Sequence, residues 1–186
     1  MKPEESLDII SRMVSDTRRS VLQQAYIPFL IWGITTVVVS LLVYFLVRFT
    51  DDYRCFYCWY LILLVGLPLV KIFSPRTKLV RTGISSSLRS IWLMMSVLLI
   101  CFSVSSSFVE FNILFFISLL LSMGSYISGA IISYPFLMYS SLPGFLAAAL
   151  MLVISGLNQI PLFAAAIAVM MIVPGFKMKQ DLKNLN

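Results

Sequence analysis

Phe111 to Phe176 reads FNILFFISLLLSMGSYISGAIISYPFLMYSSLPGFLAAALMLVISGLNQIPLFAAAIAVMMIVPGF, 66 residues without one Asp, Glu, Lys or Arg. Crossing the hydrocarbon core of a bilayer takes about 20 mostly apolar residues. The stretch therefore holds two long spans or three ordinary ones. Turn residues favour three: Ser133-Tyr134-Pro135 and Gly156-Leu157-Asn158-Gln159-Ile160-Pro161 divide it. Pro135 and Pro161 suit the first turn of a helix, where a backbone N–H is not needed. The expected spans are 111–133, 135–155 and 159–176.

Outward from that stretch, residues 90–109, 55–70 and 20–47 are also free of charge. They predict spans at 90–108, 53–73 and 26–49, the second completed by its polar flanks. Hydrophobic residues make up 60% of the 186 and charged residues 12%, against about 45–50% and 25% in soluble domains. The fold class is all-α: a polytopic membrane protein with a six-helix transmembrane bundle at 26–176. Residues 1–25 form a cytoplasmic leader and 177–186 a basic tail. The first apolar run begins near Tyr26 and is too long for a signal-peptide core, so it reads as a retained start-transfer helix.

Charge sets the orientation. With six spans, Lys2, Arg12, Arg18 and Arg19 share a side with Lys71, Arg76, Lys78, Arg81 and Arg89, and with Lys177, Lys179 and Lys183. Only Arg48 and Arg54 of the 14 basic residues lie opposite. An excess of Lys and Arg marks the cytoplasmic side, so both termini are expected there. A five-span count would carry the lysine tail across and spoil the asymmetry. Tyr53, Phe56, Tyr57, Trp59 and Tyr60, with Phe108 and Phe111, form an outer aromatic belt of the kind that sits at headgroup depth. The pI of about 9.4 does not imply nucleic acid as a partner, because the basic residues flank spans.

Residues 3–24 read as an amphipathic helix. Pro3 suits its first turn, and Glu4, Glu5 and Asp8 complement its dipole. Leu7, Ile10, Val14 and Val21 fall on one stripe, with Asp8, Arg12, Ser15 and Arg19 on the other side. As heptads the stripe is a poor zipper, since Thr17 and Gln24 take two of the three d positions. The expected placement is on the headgroups or the bundle's cytoplasmic face. Pairing in a homo-oligomer and docking of a protein partner are the alternatives.

Few residues carry chemistry. Cys55-Phe56-Tyr57-Cys58 has the spacing of a redox pair and lies at the outer end of the second span, where a disulfide could persist. Membrane thiol oxidases place such a pair similarly but need a second one, and here only Cys101 remains, within the third span. The chain has no histidine, which removes histidine-ligated haem, H-E-x-x-H zinc sites and Ser/His or Cys/His dyads. Asp51, Asp52 and Glu110 sit at span edges, so nothing supplies the mid-membrane carboxyl of a proton-coupled carrier. No catalytic, cofactor-binding or metal site is expected. Gly124-x-x-x-Ser128 and Ser125-x-x-x-Gly129 are small-residue repeats that admit a neighbouring helix or line a conduit. Pro68 and Pro143 occupy corresponding places in two three-span halves, a weak echo of the broken helices of transporters.

The opening Glu5-Ser6-Leu7, Ile10, Met13 and Thr17-Arg18, followed by Pro28-Phe29-Leu30-Ile31-Trp32-Gly33, resembles uncharacterised small bacterial inner-membrane proteins. These share an amphipathic leader and an FL-x-WG entrance to the first span. The resemblance covers about the first 45 residues and implies inner-membrane placement but no activity. The leading functional expectation is a non-enzymatic membrane protein acting through partner binding or self-association. The alternatives are a facilitator or channel for a small solute or lipid, and a thiol redox protein using Cys55 and Cys58. The orientation has a direct check. Impermeant maleimide on intact spheroplasts should label Cys55 or Cys58, after mild reductant if they are paired, and leave Cys101 unlabelled. Labelling of Cys55 only from the cytoplasmic side would reverse the orientation.

Overall fold

The computed structural model describes residues 3–74, 83–106 and 108–184, with the side chains of 3–21, 24, 53 and 83–85 outside the description. Among the described residues the chain is helical, with no strand. Helix α1 spans Pro3–Thr50 without a break. A 3₁₀ helix, Tyr53–Trp59, leads into α2, Tyr60–Phe73. Then come α3 (Gly83–Ser105), α4 (Ile113–Ile131), α5 (Pro135–Met151) and α6 (Gln159–Ile167). A π-helical turn, Ala168–Ile172, joins α6 to α7, Val173–Asn184.

Among the described residues, five helices are long and apolar enough to cross a membrane: Ala25–Thr50, Arg54–Phe73, Ser86–Ser105, Ile113–Ile131 and Gly156–Asn184. The shorter apolar helix α5 has 17 residues, about 25 Å against a hydrocarbon core of roughly 30 Å. Expected to reach residue 155, it stops at Met151 because its last carbonyls find other partners. Asn112 Nδ2 donates to the Met151 carbonyl at 2.6 Å. Gln159 Nε2 donates to the carbonyls of Met151 and Ile154 at 3.2 and 2.6 Å. The chain runs through Pro68 and Pro143 inside α2 and α5 without breaking either helix.

The helices alternate in direction. Gly33 of α1 faces Met171 and Ile172, while Gly175 of α7 faces Leu30, so α1 and α7 are antiparallel. Tyr134, in the turn between α4 and α5, donates its hydroxyl to Asp181 of α7 at 2.7 Å. That puts the Leu22 end of α1, the α4–α5 turn and the Asp181 end of α7 together. At the other end, Trp59 stacks obliquely on Phe163, with centroids 6.2 Å apart, and Asn112 meets Met151.

The packed centre consists of α1, α4, α5 and the α6–π–α7 rod. Helix α2 lies on α1, with Trp32 against Gly66, and α3 lies on α4, with Trp92 against Gly124. Both flanking helices turn most of their apolar surface outward: 6% and 0% of their apolar windows are inside the bundle, against 39–50% for the other three.

Helix α1 passes through residue 25 unbroken, with Leu22 and Ala25 buried in the core, and its membrane-length apolar stretch begins at Ala25. Residues 177–184 continue α7 as a helix, and Met178 is fully buried. Helix α3 starts at Gly83, placing Arg89 inside a helix and not in a loop. Lys2, Arg76, Lys78 and Arg81 lie outside the described residues.

Where the leader joins the core is measurable. Deleting residues 1–20 should leave the bundle folded, since the helices satisfy their own backbone hydrogen bonds. Leu22→Ala in the full chain should cost about 2–5 kcal/mol. Thermal unfolding in detergent, followed by circular dichroism, reads both.

Candidate functional site

The small residues of α4 form a filled contact face. Gly124, Ser125, Ser128 and Gly129 are all buried. A methyl group on Gly129 would fall 2.8 Å from both the backbone nitrogen and Cγ of Met138, so α5 stands directly on this position. A methyl on Gly124 would meet Trp92 and Met95 of α3 at an ordinary 3.7–3.8 Å. Between them, the Trp92 indole donates to Ser128 Oγ at 3.0 Å, and Ser128 Oγ donates to the Gly124 carbonyl at 2.6 Å. Ser125 differs: its hydroxyl is buried with no hydrogen-bond partner, as is that of Ser40 in α1.

A second close approach lies about two turns further along the same pair of helices. Gly144 of α5 packs on Ser122 of α4 and Met170 of the π turn, with no room for a methyl group. Ser118 Oγ donates to the Gly144 carbonyl at 3.2 Å. Ser122 Oγ donates to the Ser118 carbonyl at 2.7 Å and lies 3.5 Å from Met170 Sδ. The sequence marks Gly144 and Ser122 only as small residues. Nothing in it marks the π turn, a distortion often found at functional positions.

Cys55 and Cys58 both lie in the 3₁₀ helix, half-buried and unbonded to one another. The turn before them is strongly shaped. Asp51 has a left-handed backbone, φ 51°, and the Asp52 carboxylate accepts from the Arg54 N–H at 2.9 Å. Thr50 Oγ1 donates its one hydrogen to the Leu46 carbonyl at 2.7 Å. Its contact with Cys55 Sγ at 3.6 Å is therefore one in which the thiol donates. Thr50 escaped the sequence reading because only the turn geometry brings it beside Cys55. Cys101 lies about one turn before the end of α3 and is exposed on its outer side. Of the belt, Phe56, Tyr57, Tyr60 and Phe108 are exposed, whereas Trp59 packs inward on Phe163.

Leu7, Ile10, Val14 and Val21 lie on the described backbone of α1, but their side chains are outside the description. An open apolar hollow of about 270 Å³ sits between the ends of α3 and α4, lined by Phe102, Ser105, Val109, Phe111 and Phe116. Stacked Phe102 and Phe116 wall it, and it offers almost no polar surface to a ligand.

No family model, curated protein or solved structure matches the chain.

The α4 face makes a graded prediction. Gly129→Leu and Ser125→Leu should each lower stability by about 1–3 kcal/mol through overpacking. Ser128→Ala should cost about 1–3 kcal/mol by stranding the Trp92 indole, whereas Ser125→Ala, which removes an unpaired hydroxyl, should cost nothing. Melting temperatures in detergent test the ranking. Equal melting for Gly129→Leu and the parent would mean that the face borders open space.

Proposed function

We propose that this chain is a six-span protein of the bacterial inner membrane, with both termini in the cytoplasm, acting through protein contact rather than catalysis. The leading part of α1 is the contact surface. The observation that carries this reading is the unbroken course of α1 from Pro3 to Thr50. The 22 residues before Ala25 extend a helix by about 33 Å at 1.5 Å per residue. A helix continuous with a span leaves the bilayer along that span's direction, so it does not lie along the headgroups as the amphipathic pattern alone would allow.

Its antiparallel neighbour α7 ends at Asn184, after covering the Leu22 level. By helical register Leu7, Ile10, Val14 and Val21 share one apolar face of α1. A second copy of the chain or another amphipathic helix would bury it.

Six crossings are supported by the alternating helix directions. Tyr134 and Asp181 meet at one end of α5 and Asn112 meets Met151 at the other, so α5 runs the height of the bundle despite its length. Local bilayer thinning accommodates a span short by a turn. Lys71, Arg89, Lys177, Lys179 and Lys183 belong to the Leu22 end, Arg48 and Arg54 to the opposite end. The resemblance of the opening to small bacterial inner-membrane proteins supports the same compartment. A conduit ranks second, because α3 and α5 occupy the small-residue face that would line it.

Site-specific photo-crosslinking in native membranes tests the contact. A photoreactive residue at Ile10 or Val14 should give protein adducts, and one at Arg12 should give several-fold fewer. Adducts to lipid alone, or equal protein adducts on both faces, would overturn the assignment.

A further inference from the structure

The turn between α1 and α2 holds two thiols in an arrangement that the leader's contact role does not use. Tyr53–Trp59 is a 3₁₀ helix, and this conformation has three residues per turn and a rise of about 2.0 Å per residue. Cys55 and Cys58, three residues apart, therefore stand in line on one face, with Cα atoms about 6 Å apart. That falls inside the window of about 4.4–6.8 Å that a disulfide bridges without moving the backbone. Both residues are half-buried.

The surrounding turn is held independently of the sulfurs. The Cys55 N–H donates to the Asp52 carbonyl at 3.2 Å, the Arg54 N–H to the Asp52 carboxylate, and Trp59 rests on Phe163. Joining the sulfurs would be at the expense of the Cys55–Thr50 contact.

We propose that Cys55 and Cys58 are a thiol–disulfide exchange site whose substrate is an external disulfide, of a small thiol or of a protein. In the first step the Cys55 thiolate, flanked by exposed Arg54 and Phe56, attacks one sulfur of the substrate. The substrate S–S bond breaks, one thiol leaves, and a mixed disulfide forms on Cys55. The Cys58 thiolate then attacks the Cys55 sulfur, and the second thiol leaves as the Cys55–Cys58 bond forms. The cysteine pair is oxidised by two electrons, the substrate disulfide is reduced to two thiols, and the two cysteine protons pass to the leaving thiolates. The six-span orientation puts this turn on the non-cytoplasmic side, where disulfides persist.

The test uses the full chain in detergent with Cys101→Ser, equilibrated against mixtures of reduced and oxidised glutathione, quenched by alkylation and weighed intact. The expected product loses both alkylatable thiols together, is lighter than the dithiol by two hydrogens, and carries no glutathione. Cys58→Ser and Cys55→Ser in the same background should each hold one glutathione as a stable adduct, because the second thiol that expels it is gone. If the parent accumulates glutathione on its cysteines as the single variants do, the sulfurs do not reach each other and the site is overturned. Two thiols still free in the most oxidising mixture overturn it equally. Circular dichroism of every variant confirms that the compared proteins are folded. Because the readout is the mass of the purified protein, failure here leaves the leader contact and the orientation untouched.

Discussion

The distance between α4 and α5 is set by two places where a side chain is missing. At Gly129 the backbone of α5 at Met138 comes within reach of where a Cβ would stand, and at Gly144 the space is taken by Ser122 and Met170. Apolar side chains have no solvent-driven reason to choose one another inside a membrane, so close backbone approach and hydrogen bonds between helices carry the association. Ser118 supplies such a bond to the Gly144 carbonyl. The π turn brings Met170 into the same contact, so the last rod of the bundle docks against a pair already spaced by its glycines. Helix α1 then closes on that rod where Gly33 and Gly175 admit Ile172 and Leu30.

The flanking helices follow a different rule. Each of α2 and α3 is tied to the centre by a tryptophan at a small residue: Trp32 on Gly66 for α2, Trp92 on Gly124 for α3. The Trp92 contact is reinforced by its bond to Ser128 and by Phe29, whose ring meets it edge-on at 5.6 Å. The rest of each flanking helix presents Leu, Val, Ile and Phe outward. In water such surfaces would be an aggregation hazard, but against lipid they cost nothing. Outward apolarity together with an inward serine and glycine lining inverts the pattern of a soluble bundle, and it is compatible with a membrane setting.

Two regions are more organised than a passive bundle requires. One is the turn from Thr50 to Trp59, where a left-handed residue, an Asp cap and a 3₁₀ helix fix both cysteines on one side. The other is the continuation of α1 ahead of Ala25. They lie at opposite ends of the bundle, at the two ends of α1, which runs from Pro3 to Thr50. The proposed contact and the proposed exchange chemistry therefore share one helix while making separate demands on it.

Much of this was legible in the residues themselves. Long charge-free runs point to an all-helical chain with membrane-length apolar segments, because runs of that length suit helices that pair their own backbone N–H and C=O groups. Ser133-Tyr134-Pro135 marks the α4–α5 turn, since Pro135 cannot continue the preceding helix and suits the start of the next. The cysteine spacing and the small-residue repeats of α4 were visible as patterns. What they do there was not, because spacing along one helix does not say which neighbour arrives. Only the tertiary structure put Met138 on Gly129, Trp92 on Ser128 and Thr50 beside Cys55. It alone ended α5 at Met151, where Asn112 and Gln159 donate to the carbonyl, and carried α1 unbroken past residue 25, with Leu22 and Ala25 in the buried core. Local periodicity reports which face of a helix is apolar; the length of that helix and the partner of that face are decided by contacts distant in sequence.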